Sequence, residues 1–461
     1  MGLGPYQPPP RIPTSAPGSV GGGLGDLLSP RKRNRPGSSS DGRGIERLWV
    51  CFLAVRILYV SPFLPWPHDH GGRIRSWQLL AGIREFHQVR VVAGVPHDDD
   101  GSGQKAMLAA GISTKVAPLA LPGPRLTLPQ RARKFFHLAT NRSSLPGRFW
   151  SPALAALIGT EARDFDPDGV VLDQSFMGIY APLLHSRPYL LSTYNLEGAV
   201  QKQRADTLPP GLSRRLALLE ARRLLAFEAQ VLRGARRAVA CSEGDREALA
   251  ALAPSTPVDL VANGVDLDES PLLPPPSFSP LRMAYLGSYE YPPNLEAARS
   301  LVEEVLPRVR LQAKDAEVLL IGRGCEHLPQ AWRTLPGVTI LGRVANVAEA
   351  LRPVSVLVFP LSYGGGSRLK IIEGMALGRP VVTTQSGMDG LSVVHQVHLL
   401  IGGDSGALAE EVLNLRDDRA LRSRLLSEGR RLVEAQHGWK PLRIAFRESV
   451  ERAFDAGRSP P

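Results

Sequence analysis

The chain is poor in cysteine and in aromatic residues and lacks any apolar run long enough to cross a bilayer, and each shortage removes a class of protein. Its three cysteines, Cys51, Cys241 and Cys325, are odd in number and far apart. No pair has the two-residue spacing of zinc or redox motifs, so neither a disulfide scaffold nor a zinc module is expected. A reducing, cytoplasmic setting fits that usage. The longest apolar stretch, Leu48 to Val60, is broken by Arg56 and falls well short of the about 20 residues of a spanning helix. It lies behind a Pro/Gly/Ser-rich segment and the basic Arg31-Lys32-Arg33, an order that fits poorly with a signal peptide. Zinc spacing, an aromatic ribonucleoprotein signature and a single dense basic stripe are all missing, so no nucleic-acid partner is expected.

What is present points to a globular protein of more than one domain. With 461 residues, 43% hydrophobic and 21% charged, the chain exceeds one ordinary core and fits two α/β domains. The net charge of +11 attracts anions: nucleic acid, acidic lipid headgroups or phosphorylated substrates. Residues 1–54 read as a disordered tail, because Gly, Pro and Ser bury too little apolar surface to offset chain entropy. Since Val55 directly precedes the first strand-like run, a start site assigned too far upstream is one expectation for that tail. From Arg56 to Val60 onward, apolar strand-like runs alternate with helical patterns: Gln88 to Ala93, Gly169 to Leu172, Tyr189 to Ser192 and Ala238 to Cys241. Strands separated by helices imply a parallel, doubly wound sheet. A helix over about 214–233 carries Leu216, Leu219, Leu224, Phe227 and Val231 near a 3.6-residue period, a stripe expected to face the core. A Pro-rich stretch over 266–281 reads as a linker. A second doubly wound sheet follows, with strands at Arg282 to Leu286, Glu317 to Ile321, Val338 to Leu341, Val354 to Phe359 and Pro380 to Thr384.

Ligands of doubly wound sheets bind beyond the carboxyl ends of the strands, which directs attention to four loops. His70-Gly71-Gly72-Arg73 opens a helix, and its glycines let backbone N–H groups approach a phosphate; a turn needing Gly at positive φ would use the same residues. Ile321-Gly322-Arg323-Gly324 resembles the start of a dinucleotide fingerprint, but His327 takes the third glycine position and Leu341-Gly342-Arg343 stands where a ribose-binding acid belongs, so a tight turn is expected there. Tyr363-Gly364-Gly365-Gly366-Ser367-Arg368-Leu369-Lys370-Ile371-Ile372-Glu373 is the most informative. A Gly-rich turn leads into a helix with Arg368 and Lys370 in or near its first turn, where a diphosphate would meet cations and free N–H groups. Glu373 lies one turn on, and a carboxylate accepts from two vicinal hydroxyls. Ser192-Thr193-Tyr194-Asn195-Leu196-Glu197 follows a first-domain strand; Asn195 and Glu197 are either cleft residues or loop caps.

With Arg56 to Pro62, His70 to Arg75, Asn263-Gly264-Val265-Asp266, Leu286-Gly287-Ser288, Tyr291-Pro292-Pro293-Asn294 and Gly364 to Ala376, the chain resembles glycosyltransferase family 4 (glycosyl transferases group 1) over about residues 55 to 455. It looks nearest to a bacterial exopolysaccharide-associated branch. The resemblance implies the GT-B fold, two Rossmann-like doubly wound domains facing a cleft. Residues 55–265 would form an N-terminal acceptor domain, 282–436 a C-terminal donor domain, and 437–461 a crossover helix and tail that return to the first domain. It implies a retaining transferase that takes a nucleotide-diphosphate sugar as donor, with no cofactor; neither set of loops shows the clustered Asp residues of metal-dependent transferases, and Arg368, Lys370 and helix N-termini could substitute, so no metal is expected. Arg368 and Lys370 would serve the departing diphosphate, and Gly71, Gly72, Gly365, Gly366, Ser367 and Glu373 would hold the donor, Glu373 at the ribose. Asn195, Glu197 and Arg343 are further cleft candidates. Of the family's two glutamates eight positions apart, the first falls on Gly365, and Tyr194 stands where the family often has His. Those departures keep a second reading open, a catalytically silent GT-B protein that binds sugar nucleotides; a sugar-nucleotide epimerase is a third.

The acceptor would be a saccharide or a lipid-linked saccharide of cell-envelope or exopolysaccharide synthesis. Arg131-Ala132-Arg133-Lys134-Phe135-Phe136 mixes basic and aromatic residues as interfacial helices do, which suggests peripheral contact with anionic membrane at the inner face; a solvated face with two core phenylalanines is the alternative.

Overall fold

The structure, a computed structural model, describes residues 54–68, 71–119, 143–363 and 369–454. The expected tail over 1–54, apart from Ala54, and the Arg131 to Phe136 segment lie outside the described residues. So do His70, Gly365, Gly366, Ser367 and Arg368.

Seven strands form the first sheet: β1 (Arg56–Ser61), β2 (Gln88–Val95), β3 (Ser113–Pro118), β4 (Gly169–Asp173), β5 (Tyr189–Ser192), β6 (Arg237–Ala240) and β7 (Val258–Leu260). Their order is β3-β2-β1-β4-β5-β6-β7 and every pairing is parallel. A second parallel sheet, ordered β10-β9-β8-β11-β12-β13, contains β8 (Arg282–Leu286), β9 (Glu317–Ile321), β10 (Val338–Gly342), β11 (Val356–Phe359), β12 (Val381–Thr383) and β13 (Leu400–Ile401). Each order reverses once, between β1 and β4 and between β8 and β11. Those reversals open crevices above the carboxyl ends of the strands.

The strands that read clearly from sequence, such as Val-Leu-Val-Phe of β11 and Gly-Val-Val-Leu-Asp of β4, are buried throughout, as parallel strands covered on both faces must be. Three strands escape such a reading. β3 is an edge strand of alternating exposure, β7 has three residues and β13 two. Strand ends also shift: Cys241 lies past β6, and Val354 precedes β11.

The chain passes between the sheets twice, and the two passages lie side by side. Val265 and Gly438 form a parallel bridge, with Val265 N–H donating to the His437 carbonyl at 2.8 Å. The His437 Nδ1 lies 2.8 Å from the Asn263 carbonyl. The final helix, Trp439–Phe454, then packs on the first sheet, where Phe446, Val450 and Ala453 join Ile57, Tyr59, Leu79 and Leu80 in one core. No described helix is long and apolar enough to cross a membrane.

One expectation fails. In the Leu212–Gly234 helix, Leu224 and Val231 are buried, but Leu216 and Leu219 are exposed. The reason is reach. Gly198, just past the end of β5, would place a Cβ 2.5 Å from Leu225, while Gly234 lies against the Tyr189 hydroxyl at the start of the same strand. Only residues 225–234 therefore run along the sheet, and the first half of the helix projects beyond it.

Candidate functional site

Two helices begin at the two crevices and meet. The first, α1 (Gly71–Ile83), follows β1, and the helix Leu369–Ala376 follows β11. A Cβ built on Gly71 would come within 2.9 Å of Leu369 Cδ1. The described starts of both helices therefore face one space, each turning the positive end of its dipole toward it. Two such ends make that space a site for an anion. Gly71→Val would fill it, and is expected to weaken pyrophosphate binding by about tenfold or more while leaving the unfolding midpoint near wild type; isothermal titration calorimetry and urea denaturation check both halves.

Lys370 and Glu373 line the second-sheet side. The Lys370 ammonium donates to Asn294 Oδ1 at 2.6 Å and to the Tyr285 hydroxyl at 3.1 Å. It lies 4.8 Å from the centre of the Tyr285 ring and 5.6 Å from that of Phe359. Tyr285 in turn donates to Asn294 Oδ1 at 2.8 Å, and the Asn294 amide donates to the Ser288 carbonyl at 2.9 Å. Asn294 and Tyr285 thus hold the ammonium in a fixed position before any ligand arrives. Asn294 belongs to the sequence motif at 291–294, but its service to Lys370 was not legible there. Glu373 is half-buried, and burial pushes its carboxyl up to about 7. Its carboxyl makes no hydrogen bond or ion pair with any other described residue.

Behind α1 lies a buried polar cluster that sequence reasoning missed. Asp173 ends β4 at the reversal of strand order, and its Oδ2 accepts from Ser61 at 2.9 Å and Ser76 at 2.7 Å. The Ser76 and Tyr194 hydroxyls are 2.5 Å apart, and Tyr194 also donates to the Gly72 carbonyl at 3.2 Å. Burial raises the Asp173 carboxyl above its ordinary range, against the hydrogen bonds from its neighbours, and burial with the Asp173 charge raises Tyr59 and Tyr194. Tyr194 therefore anchors the first turn of α1. Arg75, only 1% exposed, ties the same helix to the passage between the sheets. It donates to the Val261 carbonyl at 2.9 Å, the Ala262 carbonyl at 3.1 Å and Asn263 Oδ1 at 2.7 Å.

Asn195 and Glu197 follow β5 and bind each other, the Asn195 amide donating to Glu197 Oε1 at 2.9 Å. Burial raises the Glu197 carboxyl, Asn195 pulls it back and Asp245 adds to the rise. The helix that begins at Glu197 already has its anion: Glu228 accepts the Glu197 and Gly198 N–H groups at 2.9 and 2.8 Å and the Ser175 hydroxyl at 2.8 Å. Burial pushes Glu228 to about 7. Arg343 is exposed just past β10, the outer strand, two strand spacings or about 10 Å from β8. Gly322 and Gly324 sit at φ of 138° and 77°, and a Cβ on Gly322 would strike the Gly287 carbonyl; this is the tight turn expected. Among the described residues no three His, Cys, Asp or Glu side chains gather as a metal-binding group.

Two facing parallel sheets with helix N-termini converging between them define the GT-B architecture. The model of a family described as glycosyl transferases group 1 matches residues 280–418, and that of a glycosyl transferase 4-like domain matches residues 70–264. The chain belongs to this glycosyltransferase family, as its motifs implied. The phosphatidyl-myo-inositol mannosyltransferase of Mycobacterium leprae (strain TN) is 30% identical over 208 residues, 43% of this chain and 54% of that protein. The match thus spans about half the length of that relative. Anabaena Alr3699/HepE, solved in complex with UDP and glucose, aligns with a TM-score of 0.59 at 12% identity over 86% of this chain and 99% of that one. Sucrose-phosphate synthase from Thermosynechococcus elongatus aligns with a TM-score of 0.63 at 18% identity over 87% and 100%. At such identities the likeness is one of fold.

Proposed function

We propose that the protein is a retaining glycosyltransferase that needs no metal ion and moves a sugar from a nucleotide-diphosphate sugar to a saccharide or lipid-linked acceptor in cell-envelope or exopolysaccharide synthesis. The observation that carries this reading is the meeting of two helix N-termini at Gly71 and Leu369, with Lys370 and Glu373 within the next turn. The HepE complex with UDP and glucose supports this class of donor, and the mannosyltransferase relative supports sugar transfer.

In this reading the diphosphate lies between the two helix ends. Gly71 and Gly72 approach it from one side; Gly365, Gly366, Ser367, Arg368 and Lys370 approach from the other, and Glu373 accepts the ribose hydroxyls. The anomeric C–O bond breaks with its electron pair passing to the diphosphate oxygen. The acceptor hydroxyl forms the new C–O bond on the same face, and its proton passes to that oxygen, so the configuration is retained. Lys370, held in advance by Asn294 and Tyr285, and the helix dipoles oppose the negative charge that develops on the leaving group. Asn195 and Glu197 stand on the acceptor side, and Arg343 at the rim. A lipid-linked acceptor would bring the protein to the anionic inner face of a membrane.

A thermal-shift screen of UDP, GDP, ADP, CMP and NAD tests the donor class. A ligand at 100 times its dissociation constant stabilises by about 2.7 kcal/mol. One nucleoside diphosphate is expected to do so in wild type and not in an Arg368→Ala/Glu373→Ala variant. Stabilisation without transfer or donor hydrolysis would favour the silent binder, and no response to any nucleotide would sink the reading.

A further inference from the structure

The projecting half of the Leu212–Gly234 helix carries a surface that the transfer chemistry does not use. Residues 212–224 extend past the end of β5 by about 20 Å. Leu212, Leu216 and Leu219 are 72%, 44% and 38% exposed, and their spacing puts them on one face. Arg215 and Arg222 are exposed on that face. Four arginines, at 214, 215, 222 and 223, stand here; Arg214 pairs with Asp206 of the neighbouring helix at 3.3 Å, and the segment's own carboxylate, Glu220, accepts from Ser143 and Ser144 at 2.9 Å through its Oε1. Farther along, the stripe runs into a groove of about 900 Å³ whose walls include Leu219, Phe227, Ile179 and Pro182.

Leucines at one per turn, flanked by arginines on a folded scaffold, are the pattern of a helix that lies in the interface of an anionic bilayer. A protein partner of ordinary composition gives no reason for so unbalanced a cationic rim, whereas lipid phosphates do.

We propose that the 212–224 face is a docking surface for an anionic bilayer, its leucines at the headgroup boundary and its arginines on lipid phosphates. Its purpose rests on the lipid-linked reading of the acceptor; the binding itself rests on this surface alone.

Cosedimentation of the full chain with phosphatidylcholine vesicles, with and without phosphatidylglycerol, tests it. Wild type is expected to bind the phosphatidylglycerol vesicles and to release with salt. Arg215→Glu/Arg222→Glu is expected to lose about 30-fold or more in partitioning, and Leu216→Glu/Leu219→Glu about tenfold or more. Both variants should keep the unfolding midpoint and the nucleotide response of wild type, which separates failure of the docking surface from failure of the transferase reading. Absence of wild-type binding, or variants that bind as wild type does, would overturn the proposal. So would a dimer, seen by light scattering, that only the leucine variant dissolves, because the face would then belong to a second copy.

Discussion

Glu373→Gln is expected to weaken nucleoside diphosphate binding by about 100-fold and to flatten its pH dependence, both read by titration calorimetry between pH 5 and 9. Two hydroxyl hydrogen bonds to an ionised carboxylate contribute roughly 1.5–3 kcal/mol each, and an amide retains one neutral acceptor. Burial pushes the unliganded Glu373 carboxyl up to about 7. A ribose diol that donates both hydroxyls selects the ionised form, so wild-type affinity should rise with pH up to about 7 and level off above it. The same shift acts on stability with a definite sign. The folded state holds its proton to higher pH than the unfolded chain, whose value is near 4.5. This contribution is fully present below about pH 4.5 and is lost as pH rises through 7. Without ligand the Gln variant should therefore melt above wild type at pH 8, and the difference should vanish toward pH 4.5. Glu228 titrates in the same window, but it is common to both proteins and cancels. Equal binding by the two proteins at pH 8 would remove Glu373 from the donor site.

Arg75→Ala is expected to lower the unfolding free energy by about 3 kcal/mol or more and to abolish nucleotide binding in the fraction that stays folded. The guanidinium fork satisfies two carbonyls and the Asn263 side chain in a buried position. Truncation leaves those acceptors without a donor and opens a cavity. Lysine should rescue little, because one ammonium cannot reproduce the fork. Binding should suffer beyond the loss of stability, because the three bonds seat α1 against the chain passage at 261–263, and α1 presents Gly71 to the anion. Urea denaturation and calorimetry on the same samples separate the two effects. A loss below about 1 kcal/mol would mean that α1 is seated by its apolar face alone.

The parts of the site legible in sequence are those whose chemistry is local. Gly71-Gly72 and Gly364 to Gly366 announce close backbone approach, and the Lys370-to-Glu373 spacing places both on adjoining turns whatever the surroundings. The contiguous apolar runs of β1, β4, β8 and β11 announce parallel strands covered on both faces. Leu216 and Leu219 misled because periodicity marks one face of a helix but not how far that helix runs past its sheet. Asp173 and Glu228 carried no signal, and Arg75 and Asn294 lay in motifs that did not disclose their roles, because a buried polar residue is recognised by its partners, and those lie on other elements.

The sequence by itself determined the class of fold, two parallel sheets with helices between their strands, and the two glycine-rich starts from which helices present their positive ends. Period and composition act over a few neighbouring residues, and these features need no more. Only the tertiary structure decided that Gly71 and Leu369 face each other and that Tyr194 and Arg75 hold α1. Those arrangements come from burying apolar faces and pairing desolvated polar groups that are distant in the chain, and no local pattern encodes such pairings.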